Sequence, residues 1–131
     1  MKHLAFFIIV LINIGLVNAQ NIYEIQGQTS QSPYFEQEVS TKGIVTAVYP
    51  ESYFIQDGDS VWTGLYVWDQ TQKPLLGDSI EITGTIDEYY DLTELKDITS
   101  YNVLSSGNPL PEPILITTGD ASEKWESVLI K

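Results

Sequence analysis

The sequence predicts an all-β fold built from five short strands. Runs rich in Val, Ile, Thr, Tyr and Trp alternate with clusters of Gly, Pro and Asp, which is the pattern of strands joined by turns. After residue 19, apolar residues do not recur at the interval of three to four positions that marks an amphipathic helix. About 112 residues remain beyond that point, enough for one domain with a modest core.

Residues 1–19 predict a cleavable secretory signal peptide. Lys2 precedes an apolar run over residues 4–17, and the small residue Ala19 ends the segment as a signal peptidase requires. A membrane anchor is the alternative, but the run is shorter than the roughly 20 residues of a spanning helix and no basic cluster follows it. We therefore expect a secreted protein, extracellular or periplasmic, that begins at Gln20 and has no membrane contact after cleavage.

The charge of the exported part limits its partners. It holds all 18 acidic residues and five of the six lysines, so its formal charge is −13, and the sequence has no Arg. One interpretation of this charge is that it keeps an exported domain soluble. The functional interpretation is that it repels polyanions unless cations neutralise it. Because the sequence has no Cys, disulfides are excluded and packing alone must hold the fold.

Residues 20–37 form a polar lead-in before the first strand. We interpret 21–27 as a short extended segment and the next ten residues as a loop, because Gln, Ser, Thr, Gly and Pro dominate them. The first strand spans 39–49, and Gly43 inside it predicts a bulge or a sharp bend.

Four further strands follow, at 52–57, 64–68, 79–89 and 99–104. In 79–89 isoleucines face one way and polar residues face the other, which predicts a half-buried strand with one wet face. Three prolines predict that 109–131 is an extended tail, or a linker to a missing module, in which 114–117 pair once more.

Five strands, the first long and interrupted by Gly, predict a small closed barrel of the OB type over residues 38–108. An immunoglobulin-like sandwich is the alternative, but it needs about seven strands and a Cys, Trp, Cys pattern that the sequence lacks. The apolar residues along these strands predict the core of the barrel: Ile44, Val48, Ile55, Leu65, Val67, Ile80, Ile82 and Ile86.

Six short pieces of the sequence, in their order and spacing, resemble a known family. They are IQG at 25–27, GIVTA at 43–47, YFIQD at 53–57, GLYV at 64–67, GDSIEITG at 77–84 and EYYDLTEL at 88–95. The set resembles the OB-fold-like domain near the front of large secreted bacterial nucleases, and the resemblance covers residues 22–130. It implies a non-catalytic accessory module, with an endonuclease/exonuclease/phosphatase-type catalytic module as its downstream partner.

The end of the chain leaves two interpretations open. Residues 123–130 are similar to the family segment that leads into the next module, and the sequence stops at Lys131. The chain is then either a fragment of a longer protein or a free-standing copy of the module.

Several catalytic chemistries are excluded by residue type. The only histidine is His3, within the predicted signal peptide, so the exported part has no His, Cys or Arg. Ser-His and Cys-His triads, the usual zinc sites and the Arg or His that stabilises a phosphoryl transition state are therefore absent from it. Metal-only hydrolysis by carboxylates stays formally open. We expect no enzyme activity from this chain. We also expect no cofactor, although a divalent cation remains a candidate ligand.

Two groups of carboxylates are weak metal candidates. Asp57 and Asp59 begin like a calcium loop, but Val61 occupies the third ligand position, so a hairpin turn is the simpler interpretation. The second group recurs at every third residue: Glu88, Asp91, Glu94 and Asp97. In strands and loops that spacing does not gather side chains on one face, which predicts a solvated acidic edge. We retain Asp57, Asp59, Glu88 and Asp91 as weak candidates.

Aromatic residues are the main binding candidates. OB folds bind single strands or sugars on the face of strands two and three, with aromatic platforms beside a basic groove. The stacking candidates are Tyr53 or Phe54, Tyr66, Trp68, and Tyr89 or Tyr90. Core packing or a module interface is the alternative role. The predicted function is an accessory module with weak contact to single-stranded nucleic acid; the alternative is a free-standing extracellular glycan- or protein-binding module.

Overall fold

The computed structural model describes residues 17–131, which form an all-β domain. Residues 1–16 of the predicted signal peptide lie outside the described residues, so the signal peptide stays a prediction. We number the five long strands β1 (Glu38–Val48), β2 (Ser52–Gln56), β3 (Gly64–Trp68), β4 (Ser79–Tyr89) and β5 (Leu92–Ser105). The remaining elements are a two-residue strand Asn18–Ala19, helix α1 (Ile22–Gln26) and two 3-10 turns, Thr118–Asp120 and Glu123–Trp125. Within residues 17–131, no helix has the length and apolar character to cross a membrane.

The five long strands close into a barrel in the order β1, β2, β3, β5, β4 and back to β1. Strand β1 closes the ring because it is long: residues 38–44 pair with β4, and residues 44–48 pair with β2, both antiparallel. Strands β2 and β3 are antiparallel, β3 and β5 are parallel, and β4 and β5 form a hairpin. The prediction of a five-stranded OB-type barrel is therefore confirmed.

Six of the eight predicted core residues are fully buried: Ile55, Leu65, Val67, Ile80, Ile82 and Ile86. The prediction was wrong for Ile44 and Val48, because β1 faces the core with its odd-numbered residues, such as Val39 and Val45. A register shift between Val45 and Ala47 then changes the phase, and Val48 is 43% exposed.

Helix α1 replaces the extended segment predicted for residues 21–27. The Asn21 side chain accepts the N–H of Glu24 (2.8 Å), and the Glu24 carboxylate accepts the N–H of Asn21 (3.1 Å), which forms a capping box. Gly27 ends the helix with a φ of 64°. Ile22 and Ile25 are fully buried in the barrel core, so tertiary packing stabilises a helix too short to show a sequence period.

Strand β5 begins at Leu92, seven residues before its predicted start at 99. Tyr90 and Asp91, the two residues of the preceding turn, both have positive φ, 50° and 64°. Two left-handed residues give the turn that matches the twist of a tight hairpin. The turn was missed because neither residue is Gly, the usual occupant of such positions.

The C-terminal segment, residues 109–131, folds back onto the barrel. Ile114 and Ile130 form a parallel bridge, which confirms the pairing predicted for residues 114–117. Gln56 accepts the N–H of Leu129 through its side-chain oxygen (3.0 Å), and Val128 is buried. Whether another module follows this segment stays a prediction.

Glu126 anchors the C-terminal segment through a carboxylate in a confined site. Its Oε1 accepts the N–H of Thr93 (3.0 Å) and a longer hydrogen bond from Gln26 Nε2 (3.4 Å). Burial raises the pKa of Glu126 to about 7, although both hydrogen bonds act to lower it. The folded protein therefore holds this proton at pH values where the unfolded chain releases it.

We expect Glu126→Gln to remove a pH dependence of stability. Because the folded pKa lies above the ordinary value of 4.5, the stabilisation is fully present below pH 4.5 and is lost as pH rises through 7. Between pH 5 and pH 8, the wild type should lose about 1 kcal/mol of unfolding free energy relative to the Gln variant. This is less than the full pKa difference implies, because solvent screens the partly exposed carboxyl. Urea unfolding at both pH values measures this. Glu112→Gln, an exposed carboxyl, is the control, and equal pH slopes in wild type and Glu126→Gln would contradict the assignment.

Candidate ligand-binding face

Aromatic side chains form a ladder on the outside of the barrel. In β2 and β3 the alternation directs Leu65 and Val67 into the core and Phe54 and Tyr66 outward. The strand register places Phe54 opposite Tyr66, with ring centroids 5.1 Å apart in an edge-to-face arrangement. Tyr49, at the end of β1, extends the ladder at 6.1 Å from Phe54. The outer face therefore offers a continuous aromatic surface.

Tyr53 lies inside the barrel, not on the ladder. Its hydroxyl donates to Asp69 Oδ2 (2.9 Å), and the side chain is almost fully buried. Burial, reinforced by the Asp69 carboxylate, raises the pKa of Tyr53 above its ordinary value. Of the two β2 candidates left open by the sequence, Phe54 is thus the one whose ring lies on the outer face.

The β4–β5 hairpin brings the tyrosine candidates to the same side of the barrel as β3. Tyr89 and Tyr90 lie edge-to-face at 4.7 Å, and both are exposed at the tip of the hairpin. Tyr89 lines a cavity together with Tyr66 and Trp68 of β3. Three of the predicted stacking residues therefore meet around one cavity.

The cavity has a volume of about 300 Å³ and contains two residues that were not among the predicted site residues, Glu94 and Lys96. Glu94 lies directly between Tyr66 on β3 and Asp87 on β4 in the sheet register. Lys96 forms an ion pair with Asp87.

Glu94 is only 7% exposed, so the expectation that it belongs to a solvated acidic edge was wrong. Its pairing with the outward-facing Tyr66 places its side chain on the outer face of the sheet, where it lines the cavity.

The electrostatics of the cavity are dominated by Glu94. Burial raises the pKa of its carboxyl above the ordinary value, and the negative charge of Asp87 acts in the same direction. Lys96 opposes this shift, but its ammonium group hydrogen-bonds to Asp87, which lowers the pKa of Asp87. The cavity thus combines aromatic walls, one confined carboxylate and one cation that is already paired.

The four weak metal candidates fall in two places, the β2–β3 loop with Asp57 and Asp59 and the β4–β5 hairpin with Glu88 and Asp91. Asp57 Oδ2 accepts the N–H of Ile22 at the start of α1 (2.8 Å), and Asp59 is exposed in the β2–β3 loop. Glu88 accepts hydrogen bonds from the N–H of Ser32 (2.7 Å) and from a threonine hydroxyl on β5 (3.0 Å). Asp91 lies in the hairpin turn. Across residues 17–131, no group of three or more His, Cys, Asp or Glu side chains is arranged to hold a metal ion.

The fold and this face together define an OB-type barrel with an aromatic outer surface. No protein-family model matches the chain, and no curated protein matches it by sequence. Solved structures of similar shape include the hypothetical protein ygiW from E. coli, with 17% identity, a TM-score of 0.47, and 69% of this chain and 91% of that chain covered.

Two further solved structures are similar at the same level. Telomere capping protein Ten1 from Saccharomyces pombe is 12% identical, with a TM-score of 0.48 and 67% of this chain and 81% of that chain covered. Replication protein A of U. maydis, solved bound to ssDNA, is 16% identical, with a TM-score of 0.48 and 82% of this chain and 79% of that chain covered. Because the identities are 12–17% and the TM-scores lie below 0.5, the activities of those proteins are not transferred to this chain.

Proposed function

We propose that this chain is a non-catalytic OB-fold accessory module of an exported nuclease-like protein, and that its outer face contacts single-stranded nucleic acid weakly. The observation that supports this function is the aromatic ladder of Tyr49, Phe54 and Tyr66, continued by Trp68. It lies on strands two and three, between the β1–β2 turn and the β4–β5 hairpin, where OB barrels bind polymers. The nuclease context rests on the resemblance of the sequence pieces described above.

Contact with nucleic acid through this face is weak for electrostatic reasons. Nucleic-acid affinity comes largely from phosphate contacts by Lys and Arg, and the sequence has no Arg. Lys96 is the lysine that lines the aromatic cavity, and it is already paired with Asp87. Stacking of bases on aromatic rings contributes about 1–3 kcal/mol per base, which only partly offsets the cost of association.

A fluorescence anisotropy titration with a labelled single-stranded oligonucleotide tests this function. At physiological salt we expect a Kd above about 10 μM, since stacking acts with few phosphate contacts. Trp68→Ala should weaken binding by about fivefold or more, because it removes one stacking platform. Tyr23→Ala removes an exposed aromatic side chain on α1, outside the ladder, and should leave the affinity unchanged.

Three outcomes of the titration would contradict the proposal. A sub-micromolar Kd without divalent cations would mean that the acidic field does not limit binding. Equal losses in Trp68→Ala and Tyr23→Ala would place the contact elsewhere. Cleavage of the oligonucleotide in magnesium or manganese would show that the chain is an enzyme after all.

A second candidate function is binding of a neutral glycan at the same face. It is favoured by the cavity between Tyr66, Trp68 and Tyr89, because Glu94 can accept and Lys96 can donate hydrogen bonds to sugar hydroxyls. A neutral sugar is also not repelled by the acidic field of the domain. Salt separates the two candidates: screening of the repulsion between the acidic domain and the phosphates should raise nucleic-acid affinity as salt increases, whereas the affinity for a neutral glycan should change little.

A further inference from the structure

We infer that the cavity between Tyr66, Trp68, Tyr89 and Glu94 binds a small alkylammonium cation, of the type of a quaternary ammonium group. This goes beyond the proposed function, because the ligand is a cation and not a polymer, and it does not rest on nucleic-acid binding. The observation behind it is that a largely buried carboxylate, which accepts no hydrogen bond, lines a cavity with three aromatic side chains.

The carboxylate of Glu94 has no hydrogen-bond donor among residues 17–131. Burial raises the pKa of its carboxyl, and no hydrogen bond offsets that effect. The nearest cation in the sheet, Lys96, pairs with Asp87. Glu94 is only 7% exposed as a residue, and a carboxylate with so little solvent and no hydrogen-bonded partner is costly to keep ionised. A cation entering the cavity would supply the missing counter-charge.

The walls of the cavity favour an organic cation. Trp and Tyr rings attract cations through their π faces, and Trp is the most effective of them. Aromatic groups supply three of the five lining residues, Tyr66, Trp68 and Tyr89. A quaternary ammonium group spreads its charge over methyl groups, so it contacts rings well and needs no hydrogen-bond acceptor of its own. Enclosure by aromatic rings is how such groups are recognised in proteins.

The other ligand classes fit the cavity less well. An inorganic divalent cation requires several oxygen ligands, and residues 17–131 contain no group of three or more acidic, His or Cys side chains arranged to hold one. A phosphate or carboxylate ligand would be repelled by Glu94, and the charge of Lys96, the other charged lining residue, is neutralised by Asp87. The formal charge of the exported part, −13 from 18 acidic residues and five lysines, adds a long-range field that attracts cations and repels anions.

An NMR titration with choline chloride tests the inference. The matched control ligand is 3,3-dimethylbutan-1-ol, which has the shape of choline but no charge, and ionic strength is held constant with sodium chloride. Choline should shift the amide signals of β3, the β4–β5 hairpin and residues 94–96, and the alcohol should bind about tenfold more weakly. Glu94→Gln should weaken choline binding about tenfold. Glu81→Gln, a carboxyl on β4 that pairs with Lys42, should change it by less than about twofold.

The comparison of choline with the alcohol uses the wild-type protein, so it does not depend on whether a variant folds. Equal affinity for the two ligands would overturn the inference and leave a merely apolar cavity. Choline shifts that do not saturate, or that persist unchanged in Glu94→Gln, would also overturn it. Glucose that shifts the same amides with higher affinity than choline would assign the cavity to the neutral glycan instead.

Discussion

Ile82→Ala is expected to lower the free energy of unfolding by about 2–5 kcal/mol, the usual cost of removing a large aliphatic side chain from a core. Ile82 is fully buried in the centre of β4, between Thr41 on β1 and Tyr101 on β5. Strands on both sides fix its surroundings, so the cavity left by the truncation cannot easily collapse. Urea unfolding followed by circular dichroism measures the loss.

Val103→Ala is the matched control for Ile82→Ala. Val103 lies on β5, opposite Ile80 in the same hairpin, but it is 48% exposed. Its truncation should cost less than about 0.5 kcal/mol, as is usual at surface positions. If Ile82→Ala cost no more than this control, the inward face of β4 would be assigned incorrectly.

The inward face of β4 was predictable, whereas that of β1 was not. Along β4 the isoleucines repeat at even-numbered positions and polar residues fill most of the others, so the two-residue period appears directly in the sequence. In β1 the core-facing positions include Thr41 and Gly43, which are not typical core residues, and a bulge changes the phase before Val48. A bulge depends on the partner strand and leaves only a weak mark in the sequence.

The two-residue period of a strand also made part of the candidate face predictable. Leu65 and Val67 alternate with Tyr66 and Trp68, so their opposite orientations follow from the period of a strand. Glu94 could not be recognised, because Tyr66 adjoins it only through the parallel pairing of β3 with β5. That contact spans 28 positions of the chain, and no local pattern contains it.

The capping residues of helix α1 can be recognised in the sequence, although the helix is too short to show an apolar repeat. Asn21 and Glu24 have the spacing of a capping box, and Gly27 has the place of a C-terminal cap. Isolated helices of five residues are not stable in water, so these signals predict a helix only where a core can receive its apolar face. The burial of Ile22 and Ile25 supplies that condition.

Gly64→Ala is expected to displace the C-terminal segment from the barrel. A Cβ atom at residue 64 would lie 2.1 Å from the carbonyl oxygen of Ser127 and 2.7 Å from the nitrogen of Val128. Both are backbone atoms, so no side-chain rotation can relieve the clash. Gly64 itself cannot retreat easily, because it pairs with Gln56 and its carbonyl accepts a hydrogen bond from Gln26 (2.7 Å). The segment that contains Ser127 must therefore move.

We expect this displacement to cost about 1–3 kcal/mol of stability, as overpacking usually does, and to break the hydrogen bond from Leu129 to Gln56. Native-state hydrogen exchange distinguishes a local from a global effect: amides of residues 124–131 should lose protection, while those of β4 keep most of theirs. Gly119→Ala is the control, since a Cβ there meets nothing closer than 4.0 Å. If the amides of residues 124–131 stayed protected in Gly64→Ala, the expectation that the C-terminal segment moves would be wrong. The clash would then have been relieved by movement of the barrel, because backbone atoms at 2.1 Å cannot coexist with a methyl group.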